Sequence, residues 1–278
     1  MKSHPASKTV RVLVSKSGAT TTFVQDQDFA ARQYRGRRDN QEDYYAFADA
    51  TETGGRSLER LMLVVGDGLG AHAGGSVASY LGVNAFVRAF HEVKGSPPHK
   101  LHHALQTANS MLGYITARMP AVAPPMGTTM IGVLVTPKWM EWISVGDSPL
   151  FLFRDGTLSR INQDHSLAPL IDERAKRGEI SAEEAANHPD RHTLQSALLG
   201  IPMTMIDSPP HPITLKKGDI IIGASDGIFT LSHKALEELL QFGKHTTADK
   251  IADAIIFAIR RINDQRQDNT TVGVVKMP

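Results

Sequence analysis

The chain contains no cysteine. That one absence excludes disulfides, thiolate-bound zinc, iron–sulfur clusters and thiol nucleophiles. Net charge is nearly absent too. The 30 Lys+Arg against 29 Asp+Glu leave +1, too little for a broad cationic face toward nucleic acid or an anionic membrane. Long hydrophobic runs are lacking: the stretch Ile251 to Ile262 carries Asp253, Arg260 and Arg261 and falls well short of the ~20 residues a membrane span needs. Lys16, Asp26 and Asp28 interrupt every N-terminal stretch, so no leader core is read there. The expectation is a soluble, cytoplasmic monomer without nucleic-acid or membrane partners. Tryptophan is scarce. Trp139 and Trp142 sit among Met140 and Ile143, a pattern of core or edge packing rather than a binding platform.

What is present fits a packed globular protein. The chain has 278 residues, 41% hydrophobic and 21% charged, enough for one large domain or two small ones. No repeat, low-complexity tract or linker divides it. Residues 1–24 read as an N-terminal arm whose alternating Val10, Val12, Leu13 and Val14 suggest a strand, and residues 25–278 as the domain proper. Strands are expected at Tyr44–Ala48, Leu61–Val65, Thr128–Val135, Trp139–Val145, Leu150–Arg154, Thr157–Ile161, Ile220–Ala224 and Thr270–Val275. Asp155-Gly156 is a hairpin signal. Helical patterns cover Gly74–Val93, His102–Met119, Ala235–Phe242 and Ala248–Ile262, with Gly95-Ser96-Pro97-Pro98 read as a break. Strands and helices do not alternate as in a doubly wound sheet. The order favours an α+β fold of antiparallel sheets with helices packed outside.

Four acids share a local design. Asp67, Asp147 and Asp226 each follow an apolar run, and Asp268 precedes one. Glu42 and Asp43 add a fifth acidic point beside a strand. Any one Asp-Gly is ordinarily a tight turn, but four acids at strand ends are not accounted for by turns. Carboxylates gathered at one end of a core repel one another and need cations. Without cysteine, and without an HExxH helix, oxygen ligands favour Mg²⁺ or Mn²⁺. Two such ions about 4 Å apart can clamp a phosphoryl group and lower the pKa of a bridging water.

Seven segments then resemble, in order, the motifs of the PPM/PP2C family of metal-dependent protein Ser/Thr phosphatases, in its compact bacterial form. They are Arg38-Asp-Asn-Gln-Glu-Asp43, Val65-Gly-Asp-Gly-Leu-Gly-Ala-His72, Met126-Gly-Thr-Thr129, Ser144-Val-Gly-Asp-Ser148, Asp164-His-Ser166, Gly218-Asp-Ile-Ile-Ile-Gly-Ala-Ser-Asp-Gly227 and Asp268-Asn-Thr-Thr271. The resemblance spans residues from about 29 to 276. It implies a sandwich of two antiparallel β-sheets flanked by pairs of α-helices. It also implies two tightly bound Mn²⁺ or Mg²⁺ ions and a weaker third. Asp67 resembles the carboxylate bridging both metals, and Gly68 a carbonyl ligand. Asp226 and Asp268 resemble ligands of the first metal. Asp147, with Asp226, resembles the holder of the third. Glu42 and Asp43 resemble acids that hold metal-bound waters. Arg38 resembles the phosphate-binding arginine, where a guanidinium fork suits phosphate oxygens; Arg35 and Arg37 are rivals or plain surface charges. The implied activity is hydrolysis of phosphoserine or phosphothreonine in proteins, substrates of a Ser/Thr kinase, by a metal-bridging hydroxide and without a phosphoenzyme. A regulatory binding module, or a phosphoesterase acting on small molecules or one dedicated partner, are the alternatives.

The chain departs from the family at Leu69, where some members have a histidine proposed as general acid. His72 reads as a loop residue rather than a displaced general acid, which must reach the leaving oxygen. Ala71 replaces a glycine common in this loop, and Pro149 an arginine. His165 is expected to brace the Asp164 turn, His188 and His192 to be solvated rather than to touch substrate, and His102-His103 to lie on a helix surface. Residues 164–200 resemble the family's flap. Ser181 and Glu184 within it form a capping-box pattern. Arg174, Lys176, Arg177, Arg191 and His192 either guide phosphopeptides or simply charge a loop.

Overall fold

Period-two patterning with a continuous apolar centre dictates sheets buried on both faces, and the chain folds accordingly. The computed structural model describes residues 23–51, 58–70, 74–118 and 126–278. In chain order the elements are β1 (Phe29–Tyr34), β2 (Tyr44–Asp49), β3 (Leu61–Gly66), β4 (Gly68–Gly70), α1 (Gly74–Glu92), α2 (Pro97–Arg118), β5 (Met126–Thr128), β6 (Met130–Val135), β7 (Trp139–Val145), β8 (Leu150–Arg154) and β9 (Thr157–Arg160). Then follow α3 (Ala168–Lys176), α4 (Ala182–Ala186), β10 (Ile213–Thr214), β11 (Ile220–Ala224), a 3-10 turn (Asp226–Thr230), α5 (His233–Gly243), α6 (Ala248–Ile262) and β12 (Thr270–Lys276).

Two five-stranded antiparallel sheets result, in the orders β1-β12-β11-β8-β9 and β10-β7-β6-β3-β2, with β4 and β5 forming a small third sheet. In β3, Leu61, Leu63 and Val65 point into the layer between the sheets, where they meet Ile221 and Val275 of the facing sheet. Met62 and Val64 of the same strand point outward onto Phe86, Phe90, Leu105 and Leu112 of α1 and α2. On the other outer face α6 buries Ile251, Ile255 and Ile259 against Ile222, Val272 and Val274. Fully burying each such side chain stabilises the fold by about 1.5–3 kcal/mol, which is why the sandwich forms from these strands. The expected α+β architecture is therefore observed, and Asp155-Gly156 is the two-residue turn joining Arg154 to its partner Thr157.

Two readings need correction. Pro97-Pro98 ends one helix but also opens α2, five residues earlier than expected. Proline is favoured in the first helical turn, where its missing N–H has no intrahelical partner to lose. The helix expected from Ala235 starts at His233, because Ser232 caps it by accepting from Ala235 N–H. The expected strand near Val10–Val14, with Ala71 and His72, lies outside the described residues.

Antiparallel pairing decides where the acids go. Strands β3 and β7 flank β6 and so run parallel to each other, and Asp67 and Asp147 leave them at the same end. Strand β2 starts at that end, just after Glu42 and Asp43. In the second sheet β11 ends where β12 begins, which brings Asp226 beside Asp268.

Candidate metal centre

Arg38, Glu42, Asp67, Gly68, Asp147, Asp226 and Asp268 line a single cavity of about 410 Å³ at that end of the sandwich. Leu69 and His192 also face it. Asp43 is buried beside it.

Each acid is positioned by its neighbours' backbones. Asp67 is fixed by the Thr128-Thr129 pair: Asp67 N–H donates to Thr129 Oγ1 at 3.0 Å, while Thr128 Oγ1 and Thr129 N–H both donate to Asp67 O at 2.9 Å. Thr129 Oγ1 shares a 2.8 Å hydrogen bond with Ser148 Oγ, linking this turn to the one carrying Asp147. Between them Gly146 holds φ +107, and a Cβ there would come within 2.6 Å of Thr129. Only glycine fits such a position. Gly68 is equally tight, since a Cβ would lie 2.2 Å from Gly75 O and 2.4 Å from Glu42 O.

Asp43 joins the two sheets. Its Oδ2 accepts from Ser225 Oγ at 2.7 Å and from Thr271 Oγ1 at 2.9 Å, the residues preceding Asp226 and closing the Asp268 motif. Its Oδ1 is buried without a hydrogen-bond partner. Asn269, which the sequence reading passed over, clamps the loop bearing Arg38. Its Nδ2 donates to Arg35 O at 2.8 Å and Asn40 O at 2.9 Å, and its Oδ1 accepts from Glu42 N–H at 2.6 Å. Nothing local to the Asp-Asn dipeptide announces those three partners.

The electrostatics are strained in one direction. Burial pushes Asp226 up to about 8, with repulsion from Asp147, Asp268 and Asp43 added. Burial likewise raises Asp147 to about 6, Asp164 adding repulsion. It raises Asp43 to about 6 despite the hydroxyls of Ser225 and Thr271. Asp67 is held well above the usual carboxylate range by burial, then by Asp43, Asp226, Asp147 and Asp268. Glu42 is raised by burial, against the opposing pull of Arg38. Among the described residues no three acids or histidines converge into a finished cation cage. Asp268 is turned aside. Its Oδ2 accepts from Arg38 Nη2 at 2.5 Å and its Oδ1 from Asn269 N–H at 2.7 Å. The donor set is oxygen throughout, with an orphaned buried carboxylate oxygen beside it, and that chemistry fits hard divalent cations.

The neighbouring residues sort as follows. Arg35 donates to Asp39 O and Arg37 to Asn263 Oδ1, so neither rival of Arg38 reaches the cavity. His165 is fully buried and braces Gly146 rather than the Asp164 turn: Gly146 N–H donates to its Nδ1 at 3.2 Å. The Asp164 turn is held instead by Ser166 N–H and Arg160. His192, expected to be merely solvated, is exposed but lines the cavity. His102 and His103 lie exposed on α2, as expected. In the flap the capping box forms, Ser181 Oγ accepting from Glu184 N–H at 3.0 Å and Glu184 Oε2 from Ser181 N–H at 2.7 Å. Its arginines are largely spent on local carboxylates: Arg191 forks onto Asp172 at 2.6 and 3.0 Å, and Arg174 and Arg177 pair with Glu179 and Glu173. Asn109 on α2 anchors the end of the flap by accepting from Leu199 and Gly200 N–H.

Comparisons with known proteins agree with this architecture. A family model described as Protein phosphatase 2C matches residues 35–234. The chain is 32% identical over 255 residues to the serine/threonine protein phosphatase PstP of Mycobacterium tuberculosis, covering 88% of this chain and 44% of that protein. It is 28% identical over 221 residues to the serine/threonine phosphatase stp of Listeria innocua, covering 77% of this chain and 84% of the relative. The crystal structure of the PstP catalytic domain in complex with two manganese ions superposes with a TM-score of 0.68 at 27% identity, covering 89% of this chain and 96% of that one. The chain belongs to the protein phosphatase 2C family. It spans less than half the length of the Mycobacterium relative.

Proposed function

We propose that the chain is a protein phosphatase that hydrolyses phosphoserine and phosphothreonine in proteins phosphorylated by a Ser/Thr kinase. The observation that carries the reading is the set of acids crowded at one end of the sandwich with carboxyl groups raised by burial and mutual repulsion. Divalent cations, Mn²⁺ or Mg²⁺, relieve that repulsion. When bound they polarise a phosphoryl group and lower the pKa of water, which permits direct attack without a phosphoenzyme. Asp67, the Gly68 carbonyl, Asp226 and Asp268 are the residues assigned to two tight ions, and Asp147 with Asp226 to a weaker third. Glu42 and Asp43 would accept hydrogen bonds from waters of the bound ions. Arg38 reaches the same cavity, where its guanidinium now donates to Asp268 and would offer its fork to the substrate phosphate. The two-manganese PstP structure supports the metal assignment by likeness.

The test is phosphopeptide and p-nitrophenyl phosphate turnover with EDTA, Mn²⁺, Mg²⁺ and Zn²⁺. The expected result is loss with EDTA, rescue by Mn²⁺ or Mg²⁺, and phosphopeptides preferred. Metal-independent or zinc-specific turnover would overturn the reading.

A further inference from the structure

Hydrolysis of a phosphoserine or phosphothreonine ester, the reaction proposed above, leaves one proton to place. The oxygen of water bonds to phosphorus, the P–O bond to the side-chain oxygen breaks, and the electron pair departs on that oxygen. An alkoxide is a strong base and leaves slowly unless a proton reaches it as the bond breaks. A p-nitrophenolate is a weak base and leaves without one. Few groups in the cavity can supply that proton. On the proposed reading its carboxyl groups ionise to hold cations and have none to give. Arg38 keeps its proton at any ordinary pH and is bonded to Asp268. Asn269 spends its amide on Arg35 O and Asn40 O. Leu69 and Leu194 bring only apolar side chains. Among the described residues lining the cavity, His192 is the proton donor that remains. An imidazole changes charge close to neutral pH. This one is exposed, so solvent can recharge it after each turnover.

His192 belongs to the flap, yet its place is fixed. The three residues after it are laced to residues 165–167: Thr193 O accepts from Leu167 N–H at 2.9 Å, Leu194 bridges Ser166, and Gln195 N–H donates to His165 O at 2.8 Å. Gln195 Nε2 also donates to Ser166 O at 2.7 Å. His165 in turn accepts from the N–H of Gly146, the residue before Asp147. The lacing ties this stretch of the flap to the turn that carries Asp147, and His192 lines the cavity together with Asp147 and Asp226. His188, also on the flap, does not line the cavity, and its Nδ1 accepts from Asp190 N–H at 3.2 Å.

We infer that His192 is the general acid of the reaction, donating its imidazolium proton to the departing seryl or threonyl oxygen as the P–O bond breaks. The inference rests on the phosphatase reading given above and adds to it a residue that meets the leaving group rather than the phosphate. It makes His192 a catalytic residue and predicts a requirement that depends on how basic the leaving group is.

Steady-state kinetics with Mn²⁺ on the wild-type chain and His192→Gln test this, using a phosphoserine peptide and a series of substituted phenyl phosphates ending in p-nitrophenyl phosphate. In His192→Gln the phosphopeptide kcat should fall by about 100-fold or more at a nearly unchanged KM, as befits a lost general acid. Turnover of p-nitrophenyl phosphate should stay within about threefold of wild type, because its leaving group needs no proton. Across the phenyl phosphates, log kcat should then fall more steeply with leaving-group basicity than in wild type. Manganese titration should match wild type, since His192 is no ligand. Equal losses on both kinds of substrate overturn the inference, as do a change confined to KM, an unchanged slope or weakened manganese binding. A steeper slope in His72→Gln with none in His192→Gln would assign the proton to His72 and overturn it as well. A wild-type chain that turns over no phosphopeptide with Mn²⁺ overturns the proposed function itself. Wild-type turnover matched by His192→Gln overturns this inference alone.

Discussion

Strand β11 has an aspartate at each end, and the molecule treats them differently. Asp219 precedes it, buried to 2% exposure. It accepts from Arg154 at 2.9 and 2.5 Å and from Lys216 N–H at 2.7 Å. Asp226 follows it, facing Asp67, Asp147 and Asp268 across a cavity whose one guanidinium among the described residues, Arg38, is bonded to Asp268. The first is a finished structural ion pair. The second is a carboxyl that the protein alone leaves without a counter-charge. Chemistry in this fold is marked by missing counter-charge, not by acidity.

Exchanging the acids for amides sharpens that contrast most. On the proposed assignment, Asp226→Asn should lower phosphopeptide turnover by orders of magnitude and leave the fold intact, since it removes a charge assigned to holding the cations. Asp219→Asn should do the reverse, retaining turnover while costing about 1.5–3 kcal/mol in denaturant unfolding, because it weakens the charge-assisted hydrogen bonds that the buried Asp219 accepts from the half-buried Arg154. Equal effects of the two would erase the distinction.

Next in size is Arg38→Ala. If Arg38 grips the substrate phosphate as proposed, its loss is worth about 1.5–3 kcal/mol, or about 10- to 150-fold in kcat/KM. Arg38→Lys should recover part, and manganese titration should stay normal in both variants.

The pH dependence of the metal-free protein follows from the raised carboxyls. Asp147 and Asp43 titrate near 6 and Asp226 near 8 in the fold, above the ordinary value of 3.8. Between those limits the native state holds more protons than the unfolded one, so stability falls as pH rises. Thermal unfolding in EDTA should therefore give a lower Tm at pH 8 than at pH 5. Asp226→Asn should flatten the slope, raising the pH 8 Tm by about 2–4 °C per kcal/mol of repulsion removed. Excess Mn²⁺ should abolish the decline.

Smallest is the flap. Arg191→Ala breaks a partly exposed pair with Asp172 and should cost under about 1 kcal/mol, with kcat unchanged. A large loss of turnover there would move substrate recognition into α3 and α4.

Most of this was readable in the chain because it rests on local pattern. Apolar runs ending at Asp67, Asp147 and Asp226 gave the strands and the acids together, and Ser181 with Glu184 spelled out its own cap. What escaped depends on distant partners. Asn269 and Asn109 look like ordinary polar residues until Arg35, Asn40 and Gly200 are brought to them. The pairing of Gly68–Gly70 with Met126–Thr128 joins segments too short to carry a period. Pro97-Pro98 reads alike as a stop and as a start. His192 enters the cavity only because the flap folds back, with Ser166 bridged to Leu194.

The central claim is that the acids at the cleft end are a divalent-cation site awaiting counter-charge. Isothermal titration of Mn²⁺ into metal-free protein at pH 6.5, in two buffers of different ionisation heat, tests it directly. Binding should release protons, because raised carboxyls must ionise to bind. Release should shrink in Asp226→Asn and persist in Asp219→Asn. Binding with no proton release, or none that depends on Asp226, would contradict the account.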